Sequence, residues 1–175
     1  MTNTVYIATS IDGYIADKNN KVDWLHEIEN KDGSDLGYLQ LMDRIDVLIM
    51  GRNTFELVVD FDCDWPYTKP VIVLSTTLKK IPKGYEDKIH LMSGEPAVVL
   101  QQAKALGYEH CYIDGGKTIQ AFLLQGLIDE LIITTIPILL GGGFPLFGQL
   151  SESKKYELKE SKVFSDEIVK SFFIR

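Results

Sequence analysis

Residues 111–126, CYIDGGKTIQAFLLQG, decide the fold class of this chain. Cys111–Ile113 is a short apolar run of the kind found in a strand that is buried on both faces. Two glycines at 115–116 follow closely, and Thr118–Gln125 then spaces its apolar residues along one helical stripe and ends before Gly126. A buried strand that passes through paired glycines into a helix is typical of an α/β protein.

The same alternation extends along the chain on both sides of this stretch. Two further helices are predicted, one over Asp35–Arg44 and one that Ser93 caps and Gly107 ends. Short apolar runs rich in β-branched residues predict the strands Val5–Thr9, Asp46–Met50, Pro70–Ser75, Ile89–Met92 and Leu131–Ile136. Strands that alternate with helices pair in parallel, so we expect a mostly parallel sheet with helices on both faces.

The C-terminal part of the chain has a different pattern. Tyr156–Phe164 and Ile168–Ile174 flank a polar turn at 165–167 and predict a β-hairpin, whose antiparallel strands would make the sheet mixed. No repeat or linker divides the chain, so residues 1–175 are expected to form a single domain.

The charge balance and the composition narrow the class of partner. Lys and Arg total 18 against 25 Asp and Glu, and this net charge of −7 argues against a nucleic-acid binder, because phosphate backbones are bound mainly by cations. No stretch approaches the roughly 18 apolar residues of a membrane span. With two cysteines and no signal-peptide pattern, we expect a cytoplasmic protein without a membrane partner. The three histidines lack metal-binding spacing, so no metal site is expected.

Residues suited to anionic oxygens follow three of the predicted strands. Gly51–Thr54 supplies a glycine, a guanidinium and a hydroxyl, Ser75–Thr77 supplies three hydroxyls, and Gly115–Thr118 supplies paired glycines at a helix N-terminus. Taken alone, the first motif is more simply explained by a surface arginine at a strand–turn–helix junction and the second by a capped turn, whereas the paired glycines favour phosphate or dinucleotide binding. If the three strands are neighbours, their ends would together hold one elongated phosphorylated cofactor.

Six short motifs in order resemble the dihydrofolate reductase fold, in the branch that includes the C-terminal reductase domain of the riboflavin-pathway bifunctional enzyme. They are SIDGYIA (10–16), IMGRNTFE (49–56), VLST (73–76), YIDGGKT (112–118), LIITTIP (131–137) and GGGFPLF (141–147). The resemblance covers nearly the whole chain. It implies a three-layer α/β sandwich and a stand-alone member without the deaminase domain.

The resemblance implies NADPH as the cofactor. The Gly-Arg-x-Thr and Leu-Ser-Thr turns would hold the adenosine half with its 2′-phosphate, the Gly-Gly turn would meet the pyrophosphate, and two apolar residues would line the nicotinamide. The positions implied in this way are Ala8, Ile15, Gly51, Arg52, Asn53, Thr54, Leu74, Ser75, Thr76, Gly115, Gly116, Lys117 and Thr118. The loop Asp12–Asp23 matches a mobile loop that closes over the nicotinamide, and a cis peptide is characteristic of the Gly pair.

The resemblance also implies one carboxylate that orients the substrate and helps to protonate it. Counting back from Gly51 gives Asp35, whereas counting forward from Trp24 gives Glu29. Asp35 is preferred as the catalytic residue because it falls inside the predicted first helix. An ordinary carboxylate at a helix N-terminus explains Asp35 equally well.

Three further residues are implied on the substrate side. Thr134 matches a strand threonine of dihydrofolate reductase, and Tyr38 and Trp65 lie in segments that resemble those of small stand-alone reductases. For Trp65, a loop packed on the core by its aromatic residues remains an alternative.

These implications predict an NADPH-dependent reductase that transfers hydride to a C=N or C=O carbon of a small heterocycle. The most similar activity is that of a 5-amino-6-(5-phosphoribosylamino)uracil reductase. Dihydrofolate reduction is less favoured, because the chain contains only Arg44, Arg52 and Arg175 as candidates to bind a glutamate tail. A non-catalytic nucleotide-binding module on the same fold remains an alternative. By family resemblance we expect a homodimer, with Gly141–Leu150 and the C-terminal strands as the candidate contact.

Overall fold

Ten strands and four helices make up the part of the chain that the computed structural model describes, residues 1–28, 31, 33–61, 63–165 and 167–175. In chain order the strands are β1 (Thr2–Ser10), β2 (Tyr14–Ala16), β3 (Val47–Gly51), β4 (Val71–Leu74), β5 (Ile89–Met92), β6 (His110–Asp114), β7 (Glu130–Ile136), β8 (Phe144–Pro145), β9 (Glu157–Phe164) and β10 (Ile168–Ile174). The helices are α1 (Tyr38–Arg44), α2 (Arg52–Val59), α3 (Pro96–Ala105) and α4 (Gly116–Leu124), and a 3-10 turn covers Asp23–His26.

Eight of these strands form one sheet in the order β5-β4-β3-β6-β1-β7-β10-β9. The first six in this order pair in parallel, and β10 and β9 pair antiparallel at the edge. The prediction of a mixed, mostly parallel sheet with a C-terminal hairpin is therefore confirmed. The short strands β2 and β8 pair with each other outside this sheet.

Alternating side chains of the central strands build a core on each face of the sheet. On one face, α3 and α4 cover Val47 and Ile49 of β3, and on the other face α1 and α2 cover Leu48 and Met50. All four of these β3 side chains are fully buried. This two-sided burial explains why β3 is a continuous apolar run.

Two predicted helix starts are wrong, and residues with positive φ angles explain both. Asp35 lies before α1 rather than inside it, because Leu36 and Gly37 have φ angles of 55° and 86°, which a right-handed helix cannot include. Ser93 does not cap α3: the N-cap is Glu95, Gly94 has φ 133°, and Pro96 occupies the first helical position that suits proline.

The turns after β3 and β6 pack directly against each other. A Cβ built on Gly115, which has φ 86°, would overlap the side chain of Thr54 in α2. A Cβ on Gly51 would lie 3.0 Å from the hydroxyl of Thr118 in α4. Glycine is therefore required at position 115, whereas a Cβ at position 51 would need the Thr118 side chain to shift by a few tenths of an ångström. The described residues contain no cis peptide bond, so the cis bond implied for the Gly pair is absent.

This contact predicts different costs for two glycine substitutions that share a left-handed backbone. Gly107→Ala, at φ 91° with open space around it, is expected to lower the free energy of unfolding by about 1 kcal/mol from backbone strain alone. Gly115→Ala is expected to cost about 2 kcal/mol more, because Thr54 must also move. Urea denaturation of both variants measures the difference, and equal losses would contradict the close packing.

Candidate functional site

The three strand ends that carry anion-suited residues lie side by side. In the sheet, β4, β3 and β6 are consecutive neighbours and run in the same direction, so their carboxyl ends share one edge. The next strand in the same direction is β1, which carries Ala8. The three strands are therefore neighbours, as the binding of one elongated ligand across their ends requires. Such an edge is where α/β sheets bind ligands.

Two helix N-termini open at this edge without a side-chain cap. The N-cap of α2 is Gly51 and that of α4 is Gly115, and neither helix has a side-chain hydrogen bond to its first turn. Uncapped N–H groups and the helix dipole favour an anion at such a position. Because β3 and β6 are adjacent, the two N-termini together suit a pyrophosphate.

The predicted phosphate-binding side chains divide into exposed and packed groups. Arg52 is partly exposed, with its guanidinium 3.5 Å from the Glu56 carboxylate and 3.4 Å from the side-chain oxygen of Asn53, and Lys117 is exposed. Thr54, by contrast, packs against the opposite turn. The first group is accessible to a ligand, whereas Thr54, like Thr118, helps to hold the two turns together.

A cleft of about 430 Å³, here called the outer cleft, lies beyond β4 and β5. Its lining residues are Ser75, Thr76, Leu78, Lys79, Leu91, Met92 and Ser93. Lys79 donates a hydrogen bond of 2.6 Å to the Thr76 carbonyl, which places its ammonium at the cleft. Sequence reasoning missed Lys79, although it lies four residues after Ser75 in the same turn. Leu74, one of the implied cofactor-binding residues, packs against the core on the α3–α4 face of the sheet.

A second cavity of about 410 Å³, here called the central cavity, lies over β1 and β7 on the α1 face. Its lining residues are Tyr6, Ala8, Leu25, His26, Ile28, Leu36, Thr134, Ile136 and Ile168. Ala8 and Thr134 are direct cross-strand partners, so the predicted nicotinamide-side residue and the predicted substrate residue share this cavity. The buried indole N–H of Trp24, which packs beside Ile136 and Ile168, has no hydrogen-bond partner among the described residues.

Part of the segment predicted as a mobile loop is tied to the chain around residue 140. The Asp12 carboxylate accepts hydrogen bonds from the Ser10 hydroxyl and from the backbone N–H groups of Leu140 and Gly141. These bonds, the Ser10 hydroxyl first, lower the pKa of Asp12. Further along, Ile15 lies against the glycine turn, where a Cβ on Gly116 would come within 2.9 Å of its Cδ1 atom.

Asp35 is exposed and acts as a helix cap. Its two carboxylate oxygens accept hydrogen bonds from the backbone N–H of Leu39 at 2.8 Å and of Gly37 at 2.9 Å. These bonds lower its pKa. Asp35 lines neither cavity, and this geometry is the capping alternative that the sequence left open. The other counted candidate, Glu29, lies outside the described residues.

Asp114 is the carboxylate that the sequence reasoning missed. It ends β6 on the same face as Tyr112, and burial raises its pKa to about 6, although its carboxylate accepts a hydrogen bond of 2.7 Å from the Gly115 N–H. Burial and then the charge of Asp114 raise the pKa of Tyr38 and Tyr67 as well. The sequence does contain a signal for this position: Asp114 comes two residues after the buried Tyr112 in the same strand, so its side chain faces the same side of the sheet.

The two predicted aromatic substrate residues lie in different surroundings. Tyr38 stands with its ring centroid 6.1 Å from that of Tyr6, which lines the central cavity. Trp65 packs in edge-to-face contacts with Phe55, Tyr67 and Tyr85 at centroid distances of 6.0, 5.2 and 5.3 Å. The contacts of Trp65 are therefore those of a loop residue that packs on the core with other aromatic residues, the alternative to a substrate-binding role.

Two features are absent from the described part of the chain. No cluster of three or more histidine, cysteine or acidic side chains is arranged to hold a metal ion. No helix there has the length and apolar content needed to cross a membrane.

Comparison with known proteins gives a match along the whole chain. The family model of the RibD C-terminal domain matches residues 2–170. A crystal structure from Shewanella sp. PV-4, of a protein that carries a provisional riboflavin biosynthesis name, is 51% identical with a TM-score of 0.96 and covers 100% of this chain and 99% of that one.

Two more distant structures share the fold. The diaminohydroxyphosphoribosylaminopyrimidine deaminase/5-amino-6-(5-phosphoribosylamino)uracil reductase of Thermotoga maritima is 14% identical with a TM-score of 0.73, over 99% of this chain and 56% of that one. Dihydrofolate reductase of Enterococcus faecalis, complexed with NADP(H), is 17% identical with a TM-score of 0.68, over 99% and 96%. The expected dihydrofolate reductase-like fold is confirmed.

The environments of Asp114 and Asp35 predict opposite effects of amide substitution on stability. Folding raises the pKa of Asp114 above its ordinary 3.8, so the folded chain binds this proton more tightly and the free energy of unfolding falls as pH rises from about 4 to above 6. Asp114→Asn removes that loss and is expected to raise the free energy of unfolding near neutral pH by about 2 kcal/mol.

Asp35→Asn is the matched control in the same experiment. Its lowered pKa means that ionised Asp35 stabilises the fold above its ordinary pKa and that this stabilisation disappears as pH falls through the folded value. The variant is therefore expected to be destabilised at neutral pH and to approach the parent protein in acid. Urea unfolding from about pH 4 to neutral pH measures the stability of both variants. A loss of stability in Asp114→Asn at neutral pH would contradict the raised pKa of Asp114.

Proposed function

Because the chain belongs to the RibD C-terminal domain family, we propose that it is a reductase that uses NADPH to reduce a small pyrimidine-type heterocycle. The proposed activity resembles that of a 5-amino-6-(5-phosphoribosylamino)uracil reductase. The observation that carries this proposal is the order of anion-suited features along one sheet edge. The outer cleft lies at β5 and β4, the two uncapped helix N-termini follow β3 and β6, and the central cavity lies at β1 and β7.

This order supports binding of an extended dinucleotide. The strands β4 to β1 span three intervals of about 4.8 Å, roughly 14 Å in total. The outer cleft would hold the adenosine half, with Arg52, Thr76 and Lys79 near the 2′-phosphate, and the N-termini of α2 and α4 would hold the pyrophosphate. The nicotinamide would then lie at Ala8 and Ile15, beside the central cavity.

When bound, NADPH would supply a hydride to the C=N or C=O carbon of the substrate, which is chemistry that belongs to the cofactor. The protein would supply position and a proton. Ala8 and Thr134 would set the depth of the substrate ring, and the apolar lining of the central cavity would exclude water around the reacting carbon.

We assign the proton to Asp114 rather than to Asp35. Neither carboxylate lines the central cavity, but Asp114 ends β6, the strand that pairs with β1, and its pKa is raised to about 6 whereas that of Asp35 is lowered. A general acid must hold its proton near the working pH. The Asp114 carboxyl would donate a proton to the substrate nitrogen or oxygen that receives the electron pair, and solvent would restore it. Asp35 would position α1.

The arginines favour a pyrimidine-type substrate over dihydrofolate. Arg44 binds Glu130 at 2.7 Å, Arg175 donates to the Gly126 carbonyl, and Arg52 follows β3. None of the three lines the central cavity, so a glutamate tail would lack the bidentate partner that a carboxylate prefers.

The cofactor assignment predicts a preference for NADPH over NADH that depends on the cations beside the outer cleft. Arg52→Met and Lys79→Met are each expected to lower the ratio of NADPH to NADH affinity about tenfold, because each loses a charge-assisted contact with the 2′-phosphate. Tryptophan fluorescence quenching and the shift in melting temperature measure binding. Lys104→Met, an exposed lysine at the far end of α3, is the control and should keep the ratio. If the parent protein binds neither NADPH nor NADH, the proposed function is wrong.

The proton assignment predicts a pH dependence of turnover. If Asp114 must be protonated, NADPH oxidation in the presence of substrate should fall as pH rises above about 6. Asp114→Asn should lower the rate at least about a hundredfold and remove this dependence, whereas Asp35→Asn should retain it. Absorbance of NADPH follows the reaction. A variant Asp114→Asn with full turnover would return the acid role to Asp35 or to solvent, and NADPH binding without turnover of any heterocycle would favour the non-catalytic module.

A further inference from the structure

Leu36 has a backbone conformation that leucine rarely adopts. Its φ angle is 55°, in the left-handed region, where the Cβ of an ordinary residue comes too close to the following carbonyl oxygen. Among the described residues, only Asn20 and Ser165 share a positive φ without being glycine, and both are polar. Such strain persists only where the surrounding structure holds it, and it is concentrated at active sites and ligand clamps.

Side chains from distant parts of the chain hold Leu36 in this conformation. The Leu36 carbonyl accepts hydrogen bonds from the Tyr6 hydroxyl at 3.2 Å and from the Lys170 ammonium at 2.8 Å. The next residue is fixed as well, because the Gly37 N–H donates to the Asp35 carboxylate at 2.9 Å. A Cβ on Gly37 would lie 2.8 Å from the Lys170 Nζ atom, so the lysine packs directly against this backbone.

The two donors to the carbonyl place Leu36 over the central cavity. Tyr6 belongs to β1 and Lys170 to β10, and these strands lie on either side of β7, roughly 10 Å apart. A carbonyl that both side chains reach lies over β7, whose Thr134 lines the central cavity. The Leu36 side chain lines the same cavity and packs beside Ile136. Leu36 therefore forms an apolar wall of the cavity on the side away from the sheet.

We propose that Leu36 is a specificity-determining residue, which limits the size of the ring system that the central cavity accepts. Tyr6 and Lys170 are positioning residues that hold this wall through the Leu36 carbonyl. The inference rests on the proposed function, and it adds which residue selects the ring. An apolar wall selects by size only if it cannot move aside, and the bonds to the carbonyl supply that rigidity.

The strain itself is tested by the order of stability of two variants. Leu36→Gly is expected to melt roughly 3 °C above Leu36→Ala, because glycine adopts a positive φ without strain. Leu39, exposed in α1, is the matched control, and there the glycine variant should melt below the alanine variant. If Leu36→Ala is as stable as Leu36→Gly, no strain holds the wall and the proposal is overturned.

A pair of ligands that differ in ring number tests the selection. Protein loaded with NADP⁺, which cannot donate hydride, is titrated by calorimetry with 5,6-diaminouracil and with lumazine, in which two further carbons close a second ring on the same nitrogens. The parent protein is expected to bind the single ring at least about tenfold more tightly. Leu36→Gly should remove most of this preference, whereas Leu36→Met, with a side chain of similar volume, should keep it. A parent protein without the preference, or a preference that Leu36→Gly leaves unchanged, would overturn the proposal.

The two positioning residues are tested through Leu36. Tyr6→Phe and Lys170→Met each remove one bond to the carbonyl and are expected to lower the preference about threefold, whereas Lys170→Arg keeps a donor and should retain it. Combined with Leu36→Gly, neither substitution should have a further effect, because the side chain that it positions is gone. An effect that persists in the combined variant would mean direct contact with the ligand and would overturn the positioning role.

Two further variants separate this role from general effects of hydroxyl and charge. Tyr156→Phe removes a hydroxyl that donates to the Ile128 carbonyl at 3.0 Å, and Lys162→Met removes the lysine directly opposite Lys170 in β9. Both should keep the parent's preference, and its loss in either would overturn the proposal. Binding of neither ring to protein that binds NADP⁺ would overturn it as well. Failure to bind NADP⁺ would count against the proposed function instead, and titration without nucleotide would then test the ring preference.

Discussion

The close contact between the turns that follow β3 and β6 is the constraint on which the rest of the site depends. Thr54 of α2 occupies the space where a Cβ of Gly115 would be, and Thr118 of α4 lies against Gly51. This contact brings together two helix N-termini that have no side-chain cap. A pyrophosphate carries more than one negative charge, and the free N–H groups and dipole of each N-terminus favour an anion. The glycines are thus needed for packing and for access at the same time.

The two aspartates show how surroundings assign different tasks to one residue type. Asp35 is exposed and accepts two helix N–H bonds, which stabilise its ionised form. Asp114 is partly buried near Tyr38, Tyr67 and Tyr112 and accepts one N–H bond, and burial favours its protonated form. The resemblance implied a carboxylate in the first helix. That helix begins only after Asp35, because Leu36 and Gly37, which precede the helix, have positive φ angles. A group that keeps its proton near pH 6 is the better candidate for acid catalysis.

Charge is distributed along the sheet edge in a way that the net value of −7 hides. Arg52 and Lys79 lie towards one end, and Lys170 and Lys162 lie beyond the other, with the central cavity between them. An acidic background makes such local cations more selective, since unrelated anions are repelled from the rest of the surface.

The sequence by itself determined the α/β class, the paired glycines and the three sets of anion-suited residues, because strand burial and turn chemistry are local properties of neighbouring residues. It also identified Ala8 and Thr134, which share a cavity. Tertiary structure alone decided that β4, β3 and β6 are neighbours, that Asp114 is partly buried whereas Asp35 is exposed, and that Lys170 stands opposite Lys162. These facts depend on strand order and pairing register, which join residues far apart in the chain. No local pattern carries that information, since a strand can pair with any partner of suitable length and burial.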